Sequence, residues 1–218
     1  MDYFGNWKAL NFHARRFFAD VAVAALRDAG ETRVSLLNDG QAPIDAQLRY
    51  RVMDFDDNVL QQKQQAVTLT AQAATDVARL SDAELLKDAD PRRTLAVFEV
   101  LRDGEVLAQR IVYFAAAKEQ ALAAGQVHAE LQAEGDHYRL RLNSHSLARA
   151  LWIEFNNVDA RVEDNAFDLL PGQPHDVVVR SRAGLSTLRA ALRLRTLGDA
   201  LHSNPAPSQD NASVQRIP

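Results

Sequence analysis

The chain contains no cysteine among its 218 residues, which excludes disulfide cross-links and thiol chemistry. A cysteine-free chain suits either redox setting, so periplasm and cytoplasm are both compatible. An excess of positive charge is also missing. Lysine and arginine number 25 against 29 aspartates and glutamates, for a net charge of −4, so the clustered basic surface that nucleic acid requires is not expected. No apolar run approaches the roughly 20 residues of a membrane span, and no membrane partner is expected. Residues 1–18, MDYFGNWKALNFHARRFF, hold no apolar core followed by a small-residue cleavage site. In a fragment, that would say nothing of the parent's address. There is no phosphate-binding P-loop, no G-x-G-x-x-G fingerprint and no G-x-S-x-G elbow. The histidines are His13, His128, His137, His145, His175 and His202, and none pair at a metal-ligand spacing such as H-x-x-x-H. Neither a metal nor another cofactor is expected.

Apolar residues make up 47% and charged residues 25% of the chain, an ordinary balance for a globular protein. The length suits one large domain or two small ones. Residues 3–18 form the only long helical pattern, with Trp7, Leu10, Ala14, Phe17 and Phe18 on one face of a 3.6-residue period. Such a helix needs something to pack on, and the simplest candidate is the strands that follow.

From Asp20 the period changes to two. Strands are read at Val21–Leu26, Arg33–Leu37, Ala46–Met53, Leu60–Leu69, Thr75–Leu80, Thr94–Leu101 and Glu105–Phe114. Asn38-Asp39-Gly40 marks a turn, and the polar, glutamine-rich Leu60–Leu69 suits a sheet edge. Ser81 to Leu86 reads as one helical turn, with Ser81 and Glu84 forming a capping box. Asp103-Gly104 is a strong hairpin signal. Strands at this spacing describe a β-sandwich.

The alanine-rich stretch AAAKEQALAAG, residues 115–125, marks a domain boundary. A second set of strands follows at Val127–Gln132, Tyr138–Leu142, Ala148–Phe155, Arg161–Glu163, Asp176–Arg182 and Leu188–Leu197. Arg139, Arg141, Arg193 and Arg195 alternate with apolar residues and read as solvated faces. Pro171-Gly172 supplies the fixed φ and then the positive φ of a tight turn. A sandwich this small is marginal alone and favours docking against its neighbour. From His202 the sequence turns polar and aperiodic, the mark of a disordered tail.

Two stretches resemble a known family. Asp164-Asn165-x-Phe167-Asp168-Leu169-Leu170-Pro171-Gly172, closing into a valine strand, is similar to the C-terminal immunoglobulin-like domain of the β-mannosidases of glycoside hydrolase family 2. Asp2-Tyr3-Phe4-Gly5-x-Trp7-Lys8-Ala9-Leu10, followed by Ala14-Arg15-Arg16-Phe17-Phe18-Ala19, resembles the last helix of that family's catalytic barrel. The resemblance implies an all-β chain of two tandem immunoglobulin-like β-sandwiches preceded by one α-helix left from a TIM barrel. The expected division is 1–19 barrel remnant, 20–118 first sandwich, 119–125 linker, 126–201 second sandwich and 202–218 tail. It further implies a parent that hydrolyses terminal non-reducing β-D-mannose residues with retention. The partners would be the catalytic TIM-barrel domain of that parent and, through it, a β-mannoside or manno-oligosaccharide. The alternative is a free-standing carbohydrate-binding module.

Retaining glycosidases need two carboxyl groups about 5–5.5 Å apart. Asp54, Asp56 and Asp57 cluster and read as a solvated hairpin turn; Glu163, Asp164 and Asp168 cluster too, and there local side-chain to backbone hydrogen bonding shapes the loop. Calcium on the second group would use the same oxygens, without EF-hand spacing to support it. The family's acid/base glutamate follows an asparagine, and no Asn-Glu dipeptide occurs here. No catalytic, cofactor-binding or metal residue is therefore assigned. Trp152 reads as a buried inter-sheet tryptophan in preference to a sugar platform. Tyr3 and Phe4 enter where the barrel would end, near a substrate mouth in an intact enzyme. Asn211-Ala212-Ser213 matches a glycosylation acceptor only formally.

Overall fold

Beyond Asp20 several turns place Gly, Asp or Asn at positive φ, as at Gly30, Asp103, Gly104, Gly135 and Asn157, and strands such as Glu31–Asn38 and Ile44–Asp54 alternate buried and exposed side chains, which sends the chain into antiparallel sheets. The computed structural model describes residues 7–203. Helix α1 spans Ala9–Phe17. The strands β1 (Val21–Asp28), β2 (Glu31–Asn38), β3 (Ile44–Asp54), β4 (Val59–Leu69) and β5 (Ala73–Ser81) follow. Helix α2 (Asp82–Leu86), β6 (Thr94–Arg102) and β7 (Glu105–Tyr113) complete the first half. Two sheets, in the orders β1-β2-β5 and β4-β3-β6-β7, enclose a core that includes Leu36, Leu48, Val52, Phe98 and Val100. Asp103 and Gly104, with φ of 52° and 87°, join β6 to β7 as the sequence predicts. β4 is an edge strand, exposed along most of its length, and Lys63 at its centre discourages pairing with another chain.

The Ser81–Glu84 capping box is present and starts α2, whose Leu85 enters the core. Gln61 of β4 donates to the free carbonyls of Glu84 and Leu85 at 3.0 and 2.7 Å, so side chains satisfy both ends of this helix.

The second half comprises β8 (Val127–Glu134), β9 (His137–Ser144), β10 (Ala148–Phe155), β11 (Ala160–Val162), β12 (Phe167–Leu169) and β13 (His175–Ser181). Helix α3 (Leu185–Ala191), β14 (Leu192–Arg195) and helix α4 (Leu197–His202) end it. Sheets β11-β13-β9-β8 and β12-β10-β14 enclose Leu140, Leu142, Leu151, Ile153, Val177, Val179 and Leu188. The chain is thus all-β, two immunoglobulin-like sandwiches in tandem. No helix among the described residues is long and apolar enough to cross a membrane.

Three readings need correction. The helix read over residues 3–18 starts at Ala9, because Lys8 is extended and contributes no side-chain cap; residues 3–6 of that reading lie outside the described residues. The strand read over Leu188–Leu197 is split. Leu185, Leu188 and Ala191 repeat at helical spacing, Leu188 is fully buried, and only Leu192–Arg195 is extended. His202, read as the start of the tail, closes α4, which a Thr196–Asp199 capping box begins. The remaining tail residues 204–218, with Asn211, lie outside the described residues, as do Tyr3 and Phe4.

Candidate functional site

β6 explains why the two sandwiches meet where they do. It is apolar on both faces: Ala96, Phe98 and Val100 fill the first core, while Leu95 and Val97 point away from it. A strand covered on both sides reads as a continuous apolar run. Its second cover is the other sandwich. Met53, Phe55, Leu95 and Val97 pack with Leu147 and Leu170, and the connector's Leu122 joins them. The Leu147 N–H donates to the Phe55 carbonyl at 2.7 Å across this seam. Within residues 119–125, Gln120 is buried as well, and the Ala121 N–H donates to the Arg92 carbonyl.

Polar contacts reinforce the seam. The Tyr113 hydroxyl donates to Asp168 Oδ2 at 2.7 Å, and the Arg149 guanidinium lies 4.0 Å from the centre of the Tyr113 ring. Arg149 also donates to Gln120 Oε1 at 2.6 Å. Burial first, then the charge and hydrogen bond of Asp168, raise the Tyr113 phenol well above its ordinary range.

A β-bulge aims Arg149 at this contact. Ala148 pairs with Leu169 and Leu151 with Phe167, so one extra residue is accommodated in β10. Ala150 takes φ of 52°, and its N–H donates to Asp168 Oδ1 at 2.8 Å. The bulge also reverses the side-chain parity beyond it. Leu151 and Ile153 enter the core, and Trp152 lies on the outer face of its sheet, partly exposed and opposite Arg195. This corrects the reading of Trp152 as an inter-sheet residue.

The remaining members of the Asp164–Gly172 block have equally local work. Asn165, buried, accepts from the Ile153 N–H and donates to the Ile153 carbonyl, each at 2.8 Å, standing in for a strand partner. Phe167 and Leu169 fill the second core, and Leu170 fills the seam. Gly172 has φ of 65°, and a Cβ there would lie 2.5 Å from Asp57 Oδ2 of the first sandwich. Glycine takes this positive φ without strain and leaves room for the Asp57 side chain of the β3–β4 turn against the β12–β13 loop.

Helix α1 is fixed to the same block by its arginines. Arg15 donates to the Glu163 carbonyl, and Arg16 donates to the carbonyls of Asn165 and Ala166 and to Asp164 Oδ1 at 2.5 Å. His175 Nε2 faces Asp164 Oδ2 at 3.3 Å, and its ring packs on Phe167 with centroids 4.4 Å apart. Burial works against the charge on Asp164, but the His175 ring, Arg16 and the Asn165 N–H together hold its carboxyl below the ordinary range. Phe12 is buried, whereas Trp7, Leu10, Phe17 and Phe18 are 43%, 72%, 61% and 84% exposed. A cleft of about 240 Å³ opens where α1 and the two sandwiches meet, lined by Arg16, Gln109, Asp164, Phe167, Gln173 and His175.

The candidate carboxylates are therefore placed. Asp54 accepts from the N–H groups of Asp56 and Asn58 and from the Asn58 side chain, which shapes the β3–β4 turn, and Asp56 pairs with Arg93. Glu163 pairs with Arg180. Among the described residues, no three metal-ligating side chains converge. One charged group escaped the sequence reading. Glu99 is 2% exposed and pairs with Arg49 and Arg51 at 2.8 and 3.3 Å. Its signal was cross-strand charge complementarity, since Arg49 lies directly opposite it.

Residues 30–119 match the family model described as a mannosidase Ig/CBM-like domain, and residues 122–200 match that of an Ig-fold domain from mannosidases. The chain belongs to the C-terminal immunoglobulin-like region of the β-mannosidases. It is 25% identical over 174 residues to a β-mannosidase of Capra hircus, covering 77% of this chain and 20% of that protein. It superposes on a β-D-mannosidase from Dictyoglomus thermophilum with TM-score 0.75 at 19% identity, over 90% of this chain and 24% of the other. The exo-chitosanase CsxA of Amycolatopsis orientalis shares the fold at TM-score 0.56 and 10% identity, over 86% of this chain and 26% of that one. These relatives are glycoside hydrolases, and the chain spans about a fifth to a quarter of their length.

Proposed function

We propose that this chain is the non-catalytic accessory portion of a β-mannosidase, whose parent removes terminal non-reducing β-D-mannose residues with retention. Its two sandwiches buttress the catalytic barrel, and the catalytic carboxylates belong to that barrel. The observation that carries this reading is the posture of α1. Arg15 and Arg16 hold the helix on the second sandwich while Leu10, Phe17 and Phe18 face outward. A large apolar face on a short, firmly anchored helix is a docking surface.

The test is hydrolysis of an aryl β-mannoside by the purified chain, alone and co-expressed with the catalytic domain of a β-mannosidase. The chain alone is expected to match a mock purification and to raise the thermal midpoint of the catalytic domain when present. Hydrolysis by the chain alone, absent from the mock, overturns the assignment. Trp152 on an outer sheet face favours the second reading, a carbohydrate-binding module. Saturable quenching of tryptophan fluorescence by manno-oligosaccharides, lost in Trp152→Ala, would establish it.

A further inference from the structure

The register of the β8–β9 hairpin brings together two histidines that are far apart in sequence. Val127 lies opposite Ser144 and His128 opposite Asn143. Continued one residue past β9, this register sets Gln126 opposite His145, so His128 and His145 take diagonal positions on one face, within reach of ring side chains. Their ring centroids are 5.6 Å apart with an interplanar angle of 77°, and both residues are exposed.

We propose that His128 and His145 form a two-imidazole site for a borderline divalent cation, the class that includes zinc, nickel and copper, for which imidazole is a suitable ligand. With metal–nitrogen bonds of about 2.0–2.1 Å, each ring centroid lies about 3 Å from the ion, so two rings sharing one ion have centroids up to about 6 Å apart. The observed separation already satisfies that limit. No third metal-ligating side chain joins them among the described residues, so water fills the remaining positions. The site stands at the β9–β10 corner, where Leu147 bonds to Phe55 and the Ser144 carbonyl accepts from the Gly172 N–H. An ion there ties β8 to the corner that carries the seam. It binds the folded chain and not the unfolded one, and so it stabilises.

The experiment is calorimetric titration of the untagged chain with zinc and with nickel at about pH 7.5 and about pH 5, since protonated imidazole cannot ligate. One saturable event per chain is expected at the higher pH and none at the lower. Each of His128→Gln and His145→Gln abolishes it, while His137→Gln and His202→Gln leave it unchanged. The thermal midpoint rises with zinc in the wild type and in the two control variants only. Absence of saturable binding at the higher pH, its survival in either His128→Gln or His145→Gln, or its equal loss in the controls would overturn the proposal.

Discussion

Replacing Tyr113 with phenylalanine isolates one bond between the sandwiches. The ring, its packing and its contact with Arg149 persist, because only the hydroxyl is removed. What is lost is a 2.7 Å hydrogen bond to the charged acceptor Asp168 Oδ2. Bonds to charged groups contribute about 1.5–3 kcal/mol. The hydroxyl is desolvated, but Asp168 is only half-buried and its other oxygen keeps the Ala150 N–H, so about 1–2 kcal/mol is expected. The measurement is urea unfolding followed in parallel by far-ultraviolet circular dichroism and tryptophan fluorescence. The wild type should unfold in one transition with coincident probes, because the seam cluster belongs to both sandwiches. Tyr113→Phe should lower the midpoint and bring the two signals apart. Asp168→Ala should cost more, because it also orphans the Ala150 N–H. The double variant should be less damaged than the sum of the two, by roughly 1 kcal/mol of coupling. Strictly additive effects, or a Tyr113→Phe chain within about 0.3 kcal/mol of wild type, would refute the view that this bond joins the domains.

Three further outcomes follow from the same contacts. Gly172→Ala should destabilise by about 1–2 kcal/mol through its positive φ, and adding Asp57→Ala should recover only the steric part of the loss in a midpoint measurement. Asp164 has a depressed carboxyl pKa, so its contribution is complete above the unfolded value near about 3.9 and is lost as pH falls through the lower folded value. Trp7 fluorescence in a Trp152→Phe background should report α1 loosening in that acid window, and Asp164→Asn should weaken the helix by about 0.5–1 kcal/mol at neutral pH, as befits a solvent-screened pair. Leu10→Glu with Phe17→Glu should shift the sedimentation of concentrated protein towards monomer; unchanged self-association, or a wild type that is already monomeric, would contradict the reading of that face.

The parts of the fold legible in the sequence are those fixed by neighbours along the chain. Asp103-Gly104 makes its hairpin wherever it stands, and Ser81 with Glu84 caps a helix start without help from the core. The glutamine-rich edge strand was legible because its polar middle, residues 61–65, has little to bury, and only Val67 and Leu69 near its end reach the core. Trp152 was not legible, since its side depends on a bulge held by Asp168, 18 residues away. Nor was the short helix around Leu188, because an apolar run of that length suits either period. The apolar stripe of α1 was visible as a stripe, but which surface it meets is decided by Arg15, Arg16 and a loop almost 150 residues on. His128 and His145 escaped for the same reason: their meeting is a property of strand register, not of spacing.

That contrast bears on how the Asp164–Gly172 block should be read. Its acidic and amide residues look like the makings of a catalytic or calcium site, yet nearly every polar atom the structure places there has an architectural partner. Asn165 imitates a strand for Ile153, Asp168 divides its oxygens between a bulge and Tyr113, and Asp164 takes Arg16 and His175. A carboxylate already committed to backbone N–H groups and cations is poorly suited to exchange protons with a substrate, since its charge is what the contacts require. The block's chemistry is that of a joint. Its side chains set the relative position of α1 and two sandwiches, and substitutions within it should register first as altered domain geometry and stability.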